Sequence, residues 1–136
     1  MATSTVYTLQ LISLKCLEAM ELDGDDIEIR LNGETVWTNN GHKMHPRPHA
    51  GGQISEVDFA GGKRHTANGW ELMTPYSPGA FVFTNLTGNS RFELWEHDMM
   101  NLSRAPVSAS DAGHGNISIV FAKDGARYSL TYRITI

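Results

Sequence analysis

The amino-acid sequence predicts an all-β protein, a two-sheet antiparallel β-sandwich of about eight strands. Three observations predict this fold class. Short segments alternate apolar and polar residues, Asn-Gly and Asp-Gly turns join two pairs of them, and no segment shows sustained helical periodicity with caps. The length of 136 residues suits one domain, so we predict that residues 1–136 form a single β-sandwich domain.

The C-terminal hairpin is the clearest predicted element. Along Tyr128–Ile136 apolar side chains alternate with Ser, Thr and Arg, which is the pattern of a strand with one buried face. The strand before it covers Asn116–Ala122, and Asp124-Gly125 supplies the positive φ that a tight turn requires. Strand Tyr128–Ile136 is also a candidate edge strand, at which a second copy could pair to form a homo-oligomer.

An earlier hairpin is predicted where Asn32-Gly33 separates Ile27–Leu31 from Glu34–Trp37. Before it, Thr5–Leu17 reads as one long strand whose apolar residues change parity midway, which predicts a bulge, a bend, or burial on both faces. Three more strands are predicted at Gln53–Phe59, Ala80–Asn85 and Arg91–Glu96. Irregular loops are predicted at Gly41–Gly52, Gly61–Pro78 and Met99–Gly115.

Composition narrows the class of protein. The net charge is −4 without a long run of either sign, so we expect no binding to nucleic acid. No apolar run is long enough for a transmembrane segment, and no signal peptide is visible. We therefore expect a soluble, cytoplasmic protein, with export by another route left open. The single cysteine, Cys16, lies in an apolar stretch and is expected to be buried.

An acidic segment between the first predicted strand and the first hairpin is a candidate metal site. It contains four carboxylates in six residues, namely Glu21, Asp23, Asp25 and Asp26. Calcium prefers such oxygen ligands, and Gly24 would help the loop curve around an ion. The alternative is a solvated acidic turn.

A second pair of carboxylates, Glu96 and Asp98, stands at the end of a predicted strand. Residues at i and i+2 of an extended segment project to the same side, so this pair could share one ligand. The alternative is a polar strand end without a ligand.

Together the two acidic segments resemble C2 domains. Glu21–Leu31 is similar to the C2 segment in which an acidic loop runs into a strand, and Phe92–Asp98 is similar to the later strand that ends in Asp-x-Asp. The resemblance implies a C2-like sandwich in which these loops converge on Ca²⁺. The matching positions are Glu21 or Asp23, then Asp26, in the first loop, and Glu96 and Asp98 in the second.

Four departures from the C2 pattern affect the calcium inference more than the fold inference. The first loop is about one residue shorter than in the family, and Ile27-Glu28 replaces Pro-Tyr. Glu96 replaces the first Asp of Asp-x-Asp, and Arg104 stands where a further acid is expected. One or more of the family's ligands is therefore missing.

A histidine-bearing segment is the alternative metal site. His42, His45 and His49 could supply three nitrogen ligands to Zn²⁺, with a fourth position left open for chemistry. The alternative is a surface loop with exposed histidines.

These features give a leading hypothesis and two alternatives. The leading one is a non-enzymatic binding module, possibly holding Ca²⁺ through its acidic loops, because no motif for nucleophilic catalysis or phosphate binding is present. The second is a metalloprotein or metalloenzyme that uses the histidine segment, and the third is a lectin-like or self-assembling structural protein. The identity of the ligand or protein partner stays open.

Overall fold

The computed structural model describes residues 5–49, 52–74, 76–77, 79–96 and 101–136. For residues 101–105 it describes the backbone only. These residues form eleven strands and one short 3-10 helix at Ala109–Asp111. The strands are β1 Tyr7–Glu18, β2 Ile27–Leu31, β3 Glu34–Thr38, β4 Ile54–Asp58, β5 Lys63–Thr66, β6 Gly69–Leu72, β7 Val82–Leu86, β8 Ser90–Glu96, β9 Asn101–Val107, β10 Asn116–Lys123 and β11 Ala126–Thr135.

The strands form two antiparallel sheets, which confirms the predicted fold class. The larger sheet has the order β10-β11-β1-β4-β5-β6, with β7 also paired to β1. The smaller sheet has the order β3-β2-β8-β9. Side chains from the two sheets meet between them: the rings of Phe92 and Tyr132 lie 5.4 Å apart, and the Tyr7 hydroxyl lies 2.6 Å from Ser90 Oγ. In the described part of the chain, no helix is long and apolar enough to cross a membrane.

Both predicted hairpins are confirmed, with their turns at the expected residues. Asn32 and Gly33 have φ values of 53° and 85°, and Asp124 and Gly125 have φ values of 51° and 91°. Two successive positive φ values define the turn whose twist matches that of the flanking strands. The short-range sequence signal therefore places these strands correctly.

The parity change predicted in the first strand is a β-bulge. Against β11, the register of β1 shifts between Leu11 and Ser13, and again between Cys16 and Glu18. Because the extra residue at the first shift reverses which parity faces inward, the buried side chains continue with Leu14 beyond it.

Two segments predicted to be irregular contain strands instead. Gly61–Pro78 includes the β5–β6 hairpin, and the described part of Met99–Gly115 includes β9 and the 3-10 helix. The β5–β6 hairpin has mostly polar residues, so it lacks the alternation that marks a half-buried strand. In β9, Pro106 marks an outer strand of the smaller sheet, where a missing N–H is tolerated.

The prediction that the last strand is an edge strand is wrong. β11 lies inside the larger sheet, paired with β10 on one side and with β1 on the other. Period-2 alternation reports which face of a strand is buried, but it says nothing about how many neighbours the strand has. Among the described strands of this sheet, β10, β6 and β7 each pair with a single neighbour and are therefore its outer strands.

Candidate functional site

The acidic segment, residues 19–26, carries the chain from β1 in the larger sheet to β2 in the smaller sheet. Asp25 is fully buried within it and accepts three hydrogen bonds. Its Oδ1 accepts from the Glu21 N–H at 3.0 Å, and its Oδ2 accepts from the Met20 N–H at 2.9 Å and the Tyr128 hydroxyl at 2.7 Å. The carboxylate therefore fixes the shape of the loop and ties it to β11.

The segment is also fixed from the other side. Asp25 and Met44 exchange two backbone hydrogen bonds of 2.9 Å, and the Asn39 side chain donates to the Asp25 carbonyl at 2.9 Å. Gly24 has a φ of 104°, and a Cβ on it would stand 2.8 Å from the Lys43 Cβ. A glycine is thus required here for two reasons: it adopts the positive φ, and it leaves room for the close approach of Lys43.

A carboxylate from the smaller sheet joins this loop. Glu96 ends β8 and pairs with Ile27 of β2, so the sheet register carries it to the start of that strand. Glu96 is fully buried, and its Oε1 accepts from the Asp26 N–H at 3.3 Å. One carboxylate oxygen from each of Glu21, Asp25 and Glu96 lies within 4.8 Å of the others. We call these three residues the acidic cluster.

The acidic cluster is chemically suited to a hard cation. Among the described residues it is the one group of three or more His, Cys, Asp or Glu side chains close enough to share an ion. Oxygen ligands suit Ca²⁺, which takes six to eight, so backbone carbonyls or water would complete the shell.

The other acidic residues of the loop are placed differently. Asp26 forms an ion pair with Lys43 at 3.0 Å, and Asp23 is exposed. The hydrogen bond that Lys43 donates to Asp26, together with the nearby charges of Asp26, Asp23 and Glu21, raises the pKa of Lys43. Lys43 therefore offsets part of the negative charge of the loop. Asp98 lies outside the described residues.

The three candidate histidines do not bring their ligand atoms together as the acidic cluster does. His42 Nδ1 lies 3.1 Å from the Gly52 carbonyl oxygen, while His45 Nδ1 accepts from the Arg47 N–H at 3.0 Å. His49 Nδ1 lies 2.9 Å from the Arg47 carbonyl oxygen, and its ring contacts that of His45 with centroids 5.1 Å apart. Although all three are described, they do not form a group of three close ligand atoms.

Two nucleophilic side chains lie close to Asp25 but are held protonated. Cys16 is buried, as expected. Burial, together with the charge of Asp25, raises the pKa of its thiol to about 12, although a hydrogen bond with Tyr128 acts in the opposite direction. Burial also raises the pKa of Tyr128, and so do the charge and hydrogen-bond interactions of its hydroxyl with Cys16 and Asp25. Neither group is ionised at neutral pH, so neither acts as a ready nucleophile.

Sequence reasoning missed two residues that shape this site. The sequence predicts Tyr128 only as an apolar position of the last strand, and it gives no reason to select Asn39. No local pattern marks either residue, because both reach the loop from strands or turns that are distant in sequence.

No family model matches the chain, and no curated protein matches its sequence. The fold and the site thus define an all-β two-sheet sandwich with three clustered carboxylates where the chain passes between its sheets.

Proposed function

We propose that this protein is a non-enzymatic binding module of C2-like architecture that takes Ca²⁺ at the acidic cluster. The observation that carries the proposal is the approach of two fully buried carboxylates, Asp25 and Glu96, to each other and to Glu21 within 4.8 Å. Like charges shielded from water repel strongly, and a bound divalent cation offsets that repulsion. The C2 resemblance of the same two segments supports the same ion.

The proposed cation would act on the loop rather than on a substrate. Glu96 belongs to a strand, whereas Glu21 and Asp25 belong to the connecting segment. An ion bound by all three would fasten the segment to β8 and fix the surface around exposed Leu22 and Asp23. This surface would then present a defined shape to a protein or ligand partner.

The affinity of the proposed site is expected to be modest. Asp25 already accepts three hydrogen bonds, and the positive charge of Lys43 acts on Glu21, one of the three carboxylates of the cluster. With three protein carboxylates, we expect a Ca²⁺ dissociation constant on the order of 10⁻⁴ M. Zinc at the histidine segment has weaker support because His42, His45 and His49 do not converge.

Calorimetric titration with Ca²⁺, paired with a thermal unfolding scan, tests the proposal. Terbium luminescence gives a second readout, since Trp95 precedes Glu96 in β8 and can sensitise a bound lanthanide. We expect Ca²⁺ to raise the melting temperature, because it binds only the folded state. We also expect Ca²⁺ to displace terbium, because the two ions compete for the same site. Zn²⁺ titration measures the competing site in the same format.

The variant Glu96→Gln keeps the size of the side chain and removes its charge. We expect it to weaken Ca²⁺ binding about tenfold or more, whereas Glu34→Gln, at an exposed position of β3, should leave binding unchanged. Absence of heat, thermal shift and terbium signal at millimolar metal would refute calcium binding.

A further inference from the structure

The free edge of β10 is unlike the other strand edges of the two sheets. β10 has eight residues, Asn116–Lys123, and among the described strands it pairs with β11 alone. It contains neither proline nor glycine, and its one charged residue, Lys123, stands at its end beside the turn. A long edge strand that is rich in β-branched residues and poor in charge offers its unpaired backbone groups to another strand.

The other outer strands each have a feature that hinders such pairing. In the larger sheet, β6 has four residues, and β7 contains Asn85, whose φ of 60° interrupts the extended backbone. In the smaller sheet, β3 has five residues and its register against β2 shifts between Ile29 and Arg30, while β9 contains Pro106. Short strands, bulges and prolines are devices by which proteins protect sheet edges. Among the described strands, β10 is therefore the least protected edge.

The free edge of β10 presents the backbone groups of alternate residues. The turn of the C-terminal hairpin has two residues, so Lys123 and Ala126 on either side of it form a pair that exchanges both backbone hydrogen bonds. Because bonded and non-bonded pairs alternate along antiparallel strands, the N–H and C=O groups of Ser118, Val120 and Ala122 point away from β11. In the part of the chain that the structure describes, these groups form no backbone hydrogen bond with another segment.

The side chains of β10 leave this edge accessible. Ser118, Val120 and Ala122 are exposed, and Val120 is 57% exposed. On the other face of the strand, Ile119 packs against the core and Phe121 is buried within it. The inward side chains therefore hold the strand in place, while the outward ones are short and uncharged and leave room for a further strand.

The sequence of β10 fits a second copy of itself in antiparallel orientation. With a two-fold axis at Val120, the outward-pointing groups of this residue face those of Val120 in the second copy, and Ser118 faces Ala122. About six backbone hydrogen bonds can form in this register. Lys123 of each copy then lies opposite Ile117 of the other, so the two ammonium groups are about 20 Å apart along the strands and do not repel each other strongly.

We propose that the protein forms a two-fold symmetric dimer in which β10 of one copy pairs with β10 of the other, so that their larger sheets join into one continuous sheet. The pairing supplies partners to the backbone groups at the free edge. One pair of edge strands buries less surface than a standard interface, so we expect a weak dimer with a dissociation constant on the order of 10⁻⁵ M. This inference does not depend on a cation at the acidic cluster.

Sedimentation velocity at protein concentrations from about 1 µM to about 1 mM tests the proposal. We expect the mass to rise from monomer to dimer and to rise no further, because two-fold pairing uses up the edge. Amide hydrogen exchange locates the contact: the N–H groups of Ser118, Val120 and Ala122 should exchange about tenfold more slowly at the high concentration. A monomer at every concentration, an open-ended series of larger assemblies, or protection at another edge would overturn the proposal.

Charge variants at the axis test the register. Val120→Lys and Val120→Glu each place two like charges opposite each other, so each should raise the dissociation constant about tenfold or more. Mixing the two variants should restore the dimer, because opposite charges then meet at the axis. Val82→Lys is the matched control, since Val82 is an exposed valine of the outer strand β7 and its substitution should leave the dimer unchanged. Thermal unfolding at low concentration checks that each variant is folded.

Two results would contradict the assignment of the dimer to β10. One is equal weakening by Val120→Lys and Val82→Lys, which would point to a general effect of charge. The other is a mixture of folded Val120→Lys and Val120→Glu that associates no better than either variant alone, since the two side chains would then not face each other at the axis.

Discussion

Asp25 and Arg64 are both charged and both shielded from water at critical atoms, yet the protein treats them in opposite ways. Asp25 is fully buried, and two backbone N–H groups and the Tyr128 hydroxyl bond to its oxygens. Arg64 Nε has no partner among the described residues. The Asp25 side chain holds the loop in its shape, whereas the Arg64 Nε–H is buried without forming a hydrogen bond in the described part of the chain.

The difference has an energetic meaning. Removing a fully bonded buried acceptor orphans every donor that pointed at it, and each orphan costs about 1–3 kcal/mol. Removing an unpartnered buried donor orphans nothing and relieves a desolvation penalty. Substitution of Asp25 should therefore lower the stability strongly, whereas substitution of Arg64 should change it little or raise it.

The largest expected effect is at Asp25. Asp25→Ala should lower the free energy of unfolding by about 3 kcal/mol, because Met20 N–H, Glu21 N–H and the Tyr128 hydroxyl lose their acceptor. Urea denaturation measures the change. Asp23→Ala, at an exposed position in the same loop, is the control and should change stability by less than about 0.5 kcal/mol. Equal losses in the two variants would break the contrast.

A smaller effect is expected in alkaline solution around Asp25. The folded pKa of Cys16 is raised to about 12 from 9.0, so above pH 9 the unfolded thiol ionises while the folded one stays protonated. The folded state then binds more protons, and stability present below pH 9 falls as pH rises towards 12, by at most about 1.4 kcal/mol per pH unit.

From pH 9 to 10 this thiol makes the largest contribution to the fall. Tyr128, Tyr132 and Lys43 also have raised pKa values, and their ordinary values of 10.0, 10.0 and 10.5 place most of their contribution at higher pH. Urea midpoints measured across the window should fall more steeply in the natural protein than in Cys16→Ala. Parallel slopes in the two proteins would show that the thiol is not the titrating group.

The smallest effect is expected at Arg64. Arg64→Met keeps the length of the side chain and removes the unpartnered donor, so stability should stay within about 1 kcal/mol or rise. Arg30→Met is the matched control, because Arg30 pairs with Glu28 and stacks on Trp95. It should lose about 1 kcal/mol in the same thermal or urea experiment. A larger loss at Arg64 than at Arg30 would mean that Arg64 has a structural role.

The sequence predicts local features of this fold well. The turns at Asn32-Gly33 and Asp124-Gly125 follow from neighbouring residues alone, and so does the change of parity in β1, for which a bulge is one of the predicted explanations. The polar hairpin β5–β6 does not follow, since its strands lack an apolar face. The place of β11 inside its sheet depends on pairing with β1, which no local pattern encodes.

The candidate sites divide in the same manner. The acidic loop and the end of β8 are visible in the sequence, and the structure brings Glu21, Asp25 and Glu96 together. The role of Asp25 as an acceptor for the loop is not visible, because it depends on a tyrosine far along the chain.

The pairing of β1 with β11 also bears on how the chain is made. Thr8 lies opposite Thr135, so β1 leaves the ribosome well before the strand with which it pairs. Contacts between such distant residues slow folding, and until they form β1 exposes apolar side chains and unpaired backbone groups. The nascent chain is therefore vulnerable to intermolecular strand pairing during synthesis, and a chaperone that covers β1 would raise the yield of folded protein.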